Sequence, residues 1–353
     1  MRFDLGGLCI LVWQIIGQDR IISLFKRSLE AGSLAHAYLL VGPPHVGKMT
    51  LALNLAKALN CGAVERPCGE CISCQKIISL GHADVQVIGL LQNDDSAEAK
   101  LISTDQIEQM QHSANLSPFE GEHKVFIIDG AERLSIEAAN RLLKTLEEPM
   151  GKVVFVLLTV NDSLLPATVV SRCQRLELIP LAAAEIESAL IARWGVDPQR
   201  AKLLAGLSHG CPGWALAAGS DDSLLQKREE ALSRLVSVIS ADNVERFAYV
   251  AQLASQFSRN RGLVYEELGF WLDYWRDLML VKIGCRDIIT NGDRLAILIE
   301  MAGGYRLTDI KDFIESICAT GEQLRQNVNP RLALEVLMLD IPGKMQIARG
   351  LTR

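Results

Sequence analysis

The sequence predicts an α/β domain, a parallel sheet with helices on both faces, followed by segments that are helical throughout. Three observations carry this. The runs 37–41, 125–128 and 153–158 are apolar without interruption, the signature of strands buried on both faces, as in parallel sheets. Helical patterns alternate with them, which fits strands joined by crossover helices. Beyond Pro180 no strand-like run recurs.

Residues 18–34 read as an amphipathic helix with Ile21, Ile22, Leu24, Phe25 and Leu29 on one side, ended by Ala31-Gly32-Ser33. The strand Ala37-Tyr38-Leu39-Leu40-Val41 stops at Gly42-Pro43-Pro44, and helical composition returns from Lys48. The next strand, Val125-Phe126-Ile127-Ile128, leaves at Asp129. A helix follows over 136–147, with Ile136, Ala139, Leu142, Leu143 and Leu146 at three-to-four spacing and Pro149 beyond it, and then the strand 153–158. Residues 183–218 form a small helical unit ending at Gly210-Cys211-Pro212-Gly213 and Trp214, and 219–223 reads as a linker. Further on, Leu268, Trp271, Leu272, Trp275, Leu278 and Met279 make one apolar stripe that stops by Gly284; it reads as core. The expected division is 1–180, 181–222 and 223–353.

With 353 residues, 49% of them apolar, the chain can bury more than one core. Lysine and arginine number 36 against 42 acids, a net charge of −6, so no chain-wide field draws phosphate and any contact with nucleic acid must be local or made through an assembly. The opening MRFDLGGLCILVW lacks a signal-peptide pattern. No run approaches the roughly 20 apolar residues of a membrane-spanning helix, so a cytoplasmic protein is expected. Residues 1–11 fit no element, and organised sequence begins at Trp13.

Gly42-Pro43-Pro44-His45-Val46-Gly47-Lys48-Met49-Thr50 lies between strand and helix, the context that makes a G-x4-G-K pattern a phosphate-binding loop. Backbone N–H groups, the helix N terminus and Lys48 would meet phosphate there. Met49 departs from the pattern. A hydroxyl is needed after the lysine to ligate magnesium; a thioether is too soft, and Thr50 is about 100° further round the helix. Asp129 stands where a carboxylate can hold magnesium or its water, but it is followed by Gly130, and Glu132 is expected to point elsewhere. Nucleotide binding through Gly42, Gly47, Lys48, Thr50 and Asp129 stays open, while magnesium-assisted hydrolysis is expected to be lost.

Nine cysteines include four at 61, 68, 71 and 74, the spacing C-x6-C-x2-C-x2-C. In a cytosolic chain this points to metal rather than disulfides, a closed zinc site or an iron–sulfur cluster being the options. Cys9, Cys285 and Cys318 read as ordinary thiols. His82, near Asp84, reads as a hydrogen-bonded loop histidine outside the ligand set.

Ile16-Gly17-Gln18, His36-Ala37-Tyr38-Leu39 before the loop, the four-cysteine cluster after it, Leu142-Leu143-Lys144-Thr145-Leu146-Glu147-Glu148-Pro149 and Ser171-Arg172-Cys173 together resemble the AAA+ subunits of bacterial DNA polymerase III clamp loaders, over about residues 13–218. Asn327-Val328-Asn329-Pro330-Arg331-Leu332-Ala333-Leu334-Glu335 resembles the terminal helix of their collar. The resemblance implies a P-loop AAA+ domain with an inserted zinc module at 61–74, a helical lid, and an all-α collar for oligomerisation. It implies structural zinc on Cys61, Cys68, Cys71 and Cys74. It also implies a hetero-pentameric ring with motor and delta subunits, acting on a sliding clamp and primer-template DNA.

Motor subunits keep Ser or Thr after the lysine, Glu after the magnesium-site Asp, and Arg in the sensor-2 helix; here stand Met49, Gly130 and Trp214, while Arg172 is retained. That combination fits a non-motor subunit supplying Arg172 as a finger in trans to a neighbour's ATP. A guanidinium there neutralises charge on the transferring phosphoryl group. Thr159 matches the sensor-1 position. The alternatives are an autonomous AAA+ ATPase or a motor-type subunit, since Lys48 and Asp129 remain, and a zinc-dependent nucleic-acid module. Glu65 and Glu70 against Arg66 and Lys76 leave the last without a basic face.

Overall fold

A computed structural model describes residues 13, 15–89, 101–147, 151–326 and 328–343. Residues 1–11 with Cys9, and Glu148, Pro149 and Asn327 of the motifs above, lie outside the described residues. The chain divides into two compact units: one runs to Ile186 and includes Gly210–Trp214, and the other comprises Glu187–His209 and the chain from Ala215.

In order, the first unit carries α1 (Asp19–Glu30), β1 (Ala37–Val41), α2 (Lys48–Asn60), α3 (Ile72–Ile78), β2 (Val85–Ile88), α4 (Thr104–Ala114), β3 (Lys124–Asp129), α5 (Ile136–Glu147), β4 (Val153–Thr159), α6 (Ala167–Val170) and β5 (Gln174–Glu177). The sheet order is β2-β3-β4-β1-β5, every pairing parallel. Side chains alternate between its faces, as the pleat requires. Tyr38, Leu40, Val125, Ile127, Val154 and Val156 pack on one side with α1 and α2. Ala37, Leu39, Phe126, Ile128, Phe155 and Leu157 pack on the other with α4 and α5. Both faces being covered, the three inner strands have to be apolar throughout, as the sequence suggested. Trp13 is buried and stacks on Phe25 at 5.8 Å between centroids.

The sequence reading missed β2 and β5. Both are edge strands of four residues, and β5 buries only Leu176, so neither produces an apolar run. It also missed α3, α4 and α6. Ile136 is exposed rather than part of the buried side of α5, which is Ala138, Ala139, Leu142, Thr145 and Leu146.

Then come α7 (Ala183–Trp194), α8 (Pro198–Leu207), α9 (Pro212–Ser220), α10 (Ser223–Ser240), α11 (Asn243–Arg259), α12 (Arg261–Ile283), α13 (Leu295–Gly303), α14 (Leu307–Arg325) and α15 (Pro330–Leu339). Helices α9 and α10 leave only 221–222 between them, a shorter break than 219–223. The stripe on α12 is core: Trp271, Tyr274, Trp275 and Leu278 are fully buried, and Trp275 meets Phe313 edge-on at 4.7 Å. Gly284 ends α12. The Arg246 guanidinium donates to the carbonyls of Val238, Ile239 and Met338, tying the ends of α10 and α15 together.

Asp277, fully buried on α12, accepts from the backbone N–H groups of Thr290 and Asn291 and from the Asn291 amide, at 2.7–2.9 Å. Asp277→Ala strands these donors. It is expected to cost the second unit about 3 kcal/mol or more, read as a lower urea midpoint at unchanged slope.

Candidate functional site

The C-terminal ends of β1, β3 and β4 open into a cleft of about 540 Å³, the place where parallel α/β sheets bind ligands. Gly47, Lys48, Met49, Thr50, Asp129 and Thr159 all line it. Gly42 stands behind the lining, its carbonyl accepting from Lys48 Nζ at 2.5 Å, and the Pro43 carbonyl accepts a second bond at 2.8 Å. The loop is thus closed by its own lysine. Gly213 forms a further wall: its N–H donates to the His45 carbonyl at 2.9 Å, and a Cβ there would lie 2.8 Å from that oxygen. Trp214 and half-buried Met49 pack against the core beneath.

Glu132 corrects the sequence reading. A 3-10 turn over Ala131–Arg133 carries it onto the cleft wall, with Oε2 buried and lacking a hydrogen-bond partner. Burial pulls the Lys48 ammonium below its ordinary value, and the negative charges of Glu132 and then Asp129 oppose that. Gly130, with φ of 73°, occupies the left-handed region, so a residue with a side chain would be strained there. The Thr159 hydroxyl is engaged locally, donating to the Asn161 carbonyl and accepting from its N–H.

Arg172 lies outside the cleft, just after α6. Its Nη2 pairs with Glu147 Oε1 at 2.6 Å, and Nη1 donates to the Thr168 carbonyl at 2.9 Å. The neighbouring Cys173 is packed against the core, and burial pushes its thiol up to about 12. Cys285 and Cys318 are exposed, Cys211 buried.

The four sulfurs of Cys61, Cys68, Cys71 and Cys74 lie within 4.8 Å of one another and could hold a metal ion. Sulfur separations of 3.5, 3.9 and 4.0 Å recur among them, close to the roughly 3.8 Å edge of a tetrahedron with metal–sulfur bonds of about 2.3 Å. Backbone N–H groups of Cys71 and Glu70 draw the Cys68 thiol down to about 6, while burial pushes Cys74 up to about 12.

A buried network ties this module to the sheet. The Asp84 N–H donates to His82 Nδ1, and the other ring nitrogen, Nε2, lies 3.1 Å from Ser73 Oγ between the cysteines. His82 is therefore the hydrogen-bonded loop residue expected. Asp84, which the sequence reading gave no role, accepts from the N–H groups of Phe119, Glu120 and Gly121 at 2.7–2.8 Å. Lys76 pairs with Glu120.

A family model described as "DNA polymerase III, delta subunit" matches residues 17–182, and one for the C-terminal part of that subunit matches 223–342. The chain is 30% identical to DNA polymerase III subunit delta' of Bacillus subtilis over 91% of its own length and 95% of that protein's. It is 26% identical to subunit tau of the same organism over 93% of this chain and 60% of tau, so it spans only part of that relative. The crystal structure of a DNA polymerase III gamma subunit-related protein from Thermotoga maritima matches at 18% identity and a TM-score of 0.41, covering 90% of this chain and 98% of that one.

Burial alone would raise the Asp84 carboxyl, but its three backbone donors hold it below the usual carboxylate range. Its stabilising contribution is complete above the unfolded carboxylate pKa of about 3.9 and fades as pH falls through the lower folded value. Asp84→Asn should cost about 1–3 kcal/mol at neutral pH and remove that part of the acid-side fall in stability. Melting curves of both proteins from pH 7 downward check this.

Proposed function

Because the chain belongs to the delta-prime family of DNA polymerase III clamp-loader subunits, we propose that it serves there as a non-motor member, turning over no ATP itself and lending Arg172 to a neighbouring subunit's ATP site. The observation that carries this reading is the division of labour in the first unit. The cleft has Met49 where magnesium needs a hydroxyl and Gly130 in a backbone conformation that disfavours a glutamate, whereas the retained Arg172 stands apart from the cleft on a partly exposed turn. Lys48 is satisfied by its own loop, so its presence does not require a nucleotide. The small helical segment 181–222 would be the lid and 223–353 the collar. On α15 the exposed Leu332, Val336 and Leu339 recur on one side, an apolar stripe suited to partner helices in a hetero-pentameric ring with motor and delta subunits. The sliding clamp and primed DNA would be reached through that assembly in the cytoplasm.

The second reading is a motor-type or autonomous ATPase, and Glu132 is what favours it, since it brings a carboxylate into the cleft with Lys48 and Asp129. The two separate cleanly. In the first reading the isolated chain shows no magnesium-dependent turnover. Arg172→Ala stays folded and assembles with wild-type partners, and clamp-dependent hydrolysis by the complex falls by about tenfold or more. Arg172→Lys is also impaired, since an ammonium cannot reproduce the guanidinium fork. Turnover by the isolated chain that Glu132→Gln or Lys48→Ala abolishes establishes the second reading, and an unimpaired Arg172→Ala complex removes the finger.

The cysteine cluster is assigned structural zinc. Four thiolates complete a tetrahedral shell and leave no position for substrate. Protein purified without chelator is expected to contain about one zinc per chain, and stripping it under denaturant-free conditions should lower the melting temperature. Iron with sulfide, or no metal at all, contradicts the assignment.

A further inference from the structure

We propose that Glu147 is a parking partner for Arg172, holding the guanidinium neutralised within its own chain until a neighbour's bound polyphosphate displaces the carboxylate. This rests on the trans-acting reading of Arg172. Packing of Leu142 and Leu146 on α5 with Val169 on α6 brings the two side chains together from 25 residues apart. The carboxylate takes Nη2, and the Thr168 carbonyl takes Nη1, so the terminal nitrogens of the fork are both engaged.

The position of Glu147 is itself informative. It closes α5, where the helix dipole presents its negative end and favours cations. A carboxylate there does nothing for the helix, and the arginine is what compensates it. The pair is also reversible, with side-chain exposures of 35% for Arg172 and 49% for Glu147. Water reaches both groups and screens them, so parting them is cheap. A terminal phosphate carries more charge and more acceptor oxygens than one carboxylate and matches the same planar fork. In a water-excluding interface it wins the exchange; in an open ring, the carboxylate does. Glu147 is thus a positioning residue acting through Arg172, and its effect is to keep a neighbour's ATP site idle until the ring has closed on clamp and DNA.

The test uses the full reconstituted complex with all other subunits wild type, with assembly confirmed by size-exclusion chromatography. Glu147→Gln should raise ATP hydrolysis measured without clamp and DNA by about two- to fivefold, the factor an exposed ion pair contributes, and should not lower the clamp-stimulated rate. Glu147→Ala should do the same, and Glu147→Asp, which keeps the charge, should restore most of the low resting rate. The effect must vanish on an Arg172→Ala background. A resting rate unchanged or lowered in both neutral variants, or raised equally without Arg172, overturns the parking role while leaving the finger intact. Wild-type activity of Arg172→Ala alone marks failure of the underlying reading, and the parking role falls with it.

Discussion

Burial of β1, β3 and β4 on both faces is the constraint from which the first unit follows. Strands without a solvent-facing side carry little chemistry along their length, so the polar groups of the cleft lie at or just beyond their ends. Asp129 is the exposed last residue of an otherwise buried strand, Thr159 the last of another, and the phosphate-type loop begins where β1 stops. The parallel register sets these ends side by side, Asp129 opposite Leu158 and Val41 opposite Thr159. The cleft is a consequence of that register.

The same constraint decides what could be read from the sequence. The inner strands were legible because double-sided burial demands apolar runs. The edge strands β2 and β5 were not, because an edge strand buries little and its composition is that of a loop. The cysteine cluster and the Met49 and Gly130 departures were legible as residue types at fixed spacing. Glu132 was misplaced because spacing along an extended chain does not reveal a 3-10 turn, and it is that turn which swings the carboxylate onto the cleft wall. Arg172 could be singled out, but its partner Glu147 could not, since only the packing of α5 on α6 brings them together. Asp84 gave no signal at all, for a lone acid among loop residues looks solvated until the three N–H groups converging on it are seen.

The cysteine module is joined to the sheet by polar groups as well as by Ile77, which is buried in the same core as Val85 and Val125. Ser73, His82, Asp84 and the 119–121 backbone form a chain of hydrogen bonds from the cysteine-bearing α3 to the segment entering β3. Such a chain gives up geometry when a member is removed, because His82 and Asp84 are buried and would be left with unpaired groups. The cysteine cluster, which could hold a metal ion, and the sheet edge are therefore connected through named atoms.

The cleft keeps the outline of a nucleotide site while its parts serve the loop itself. Lys48 bridges the carbonyls of Gly42 and Pro43, Gly213 donates to His45, and the Thr159 hydroxyl closes on Asn161. Each of these groups would otherwise need water or a ligand, and each is satisfied within the protein. The exception is Glu132 Oε2, buried and unpartnered. A loop so closed loses little by never meeting phosphate, and the lysine can persist for the two bonds it makes. Its persistence is accordingly weak support for turnover. Met49 and Gly130 weigh more: the first offers a thioether where magnesium takes oxygen ligands, and the second holds a backbone conformation that disfavours a side chain.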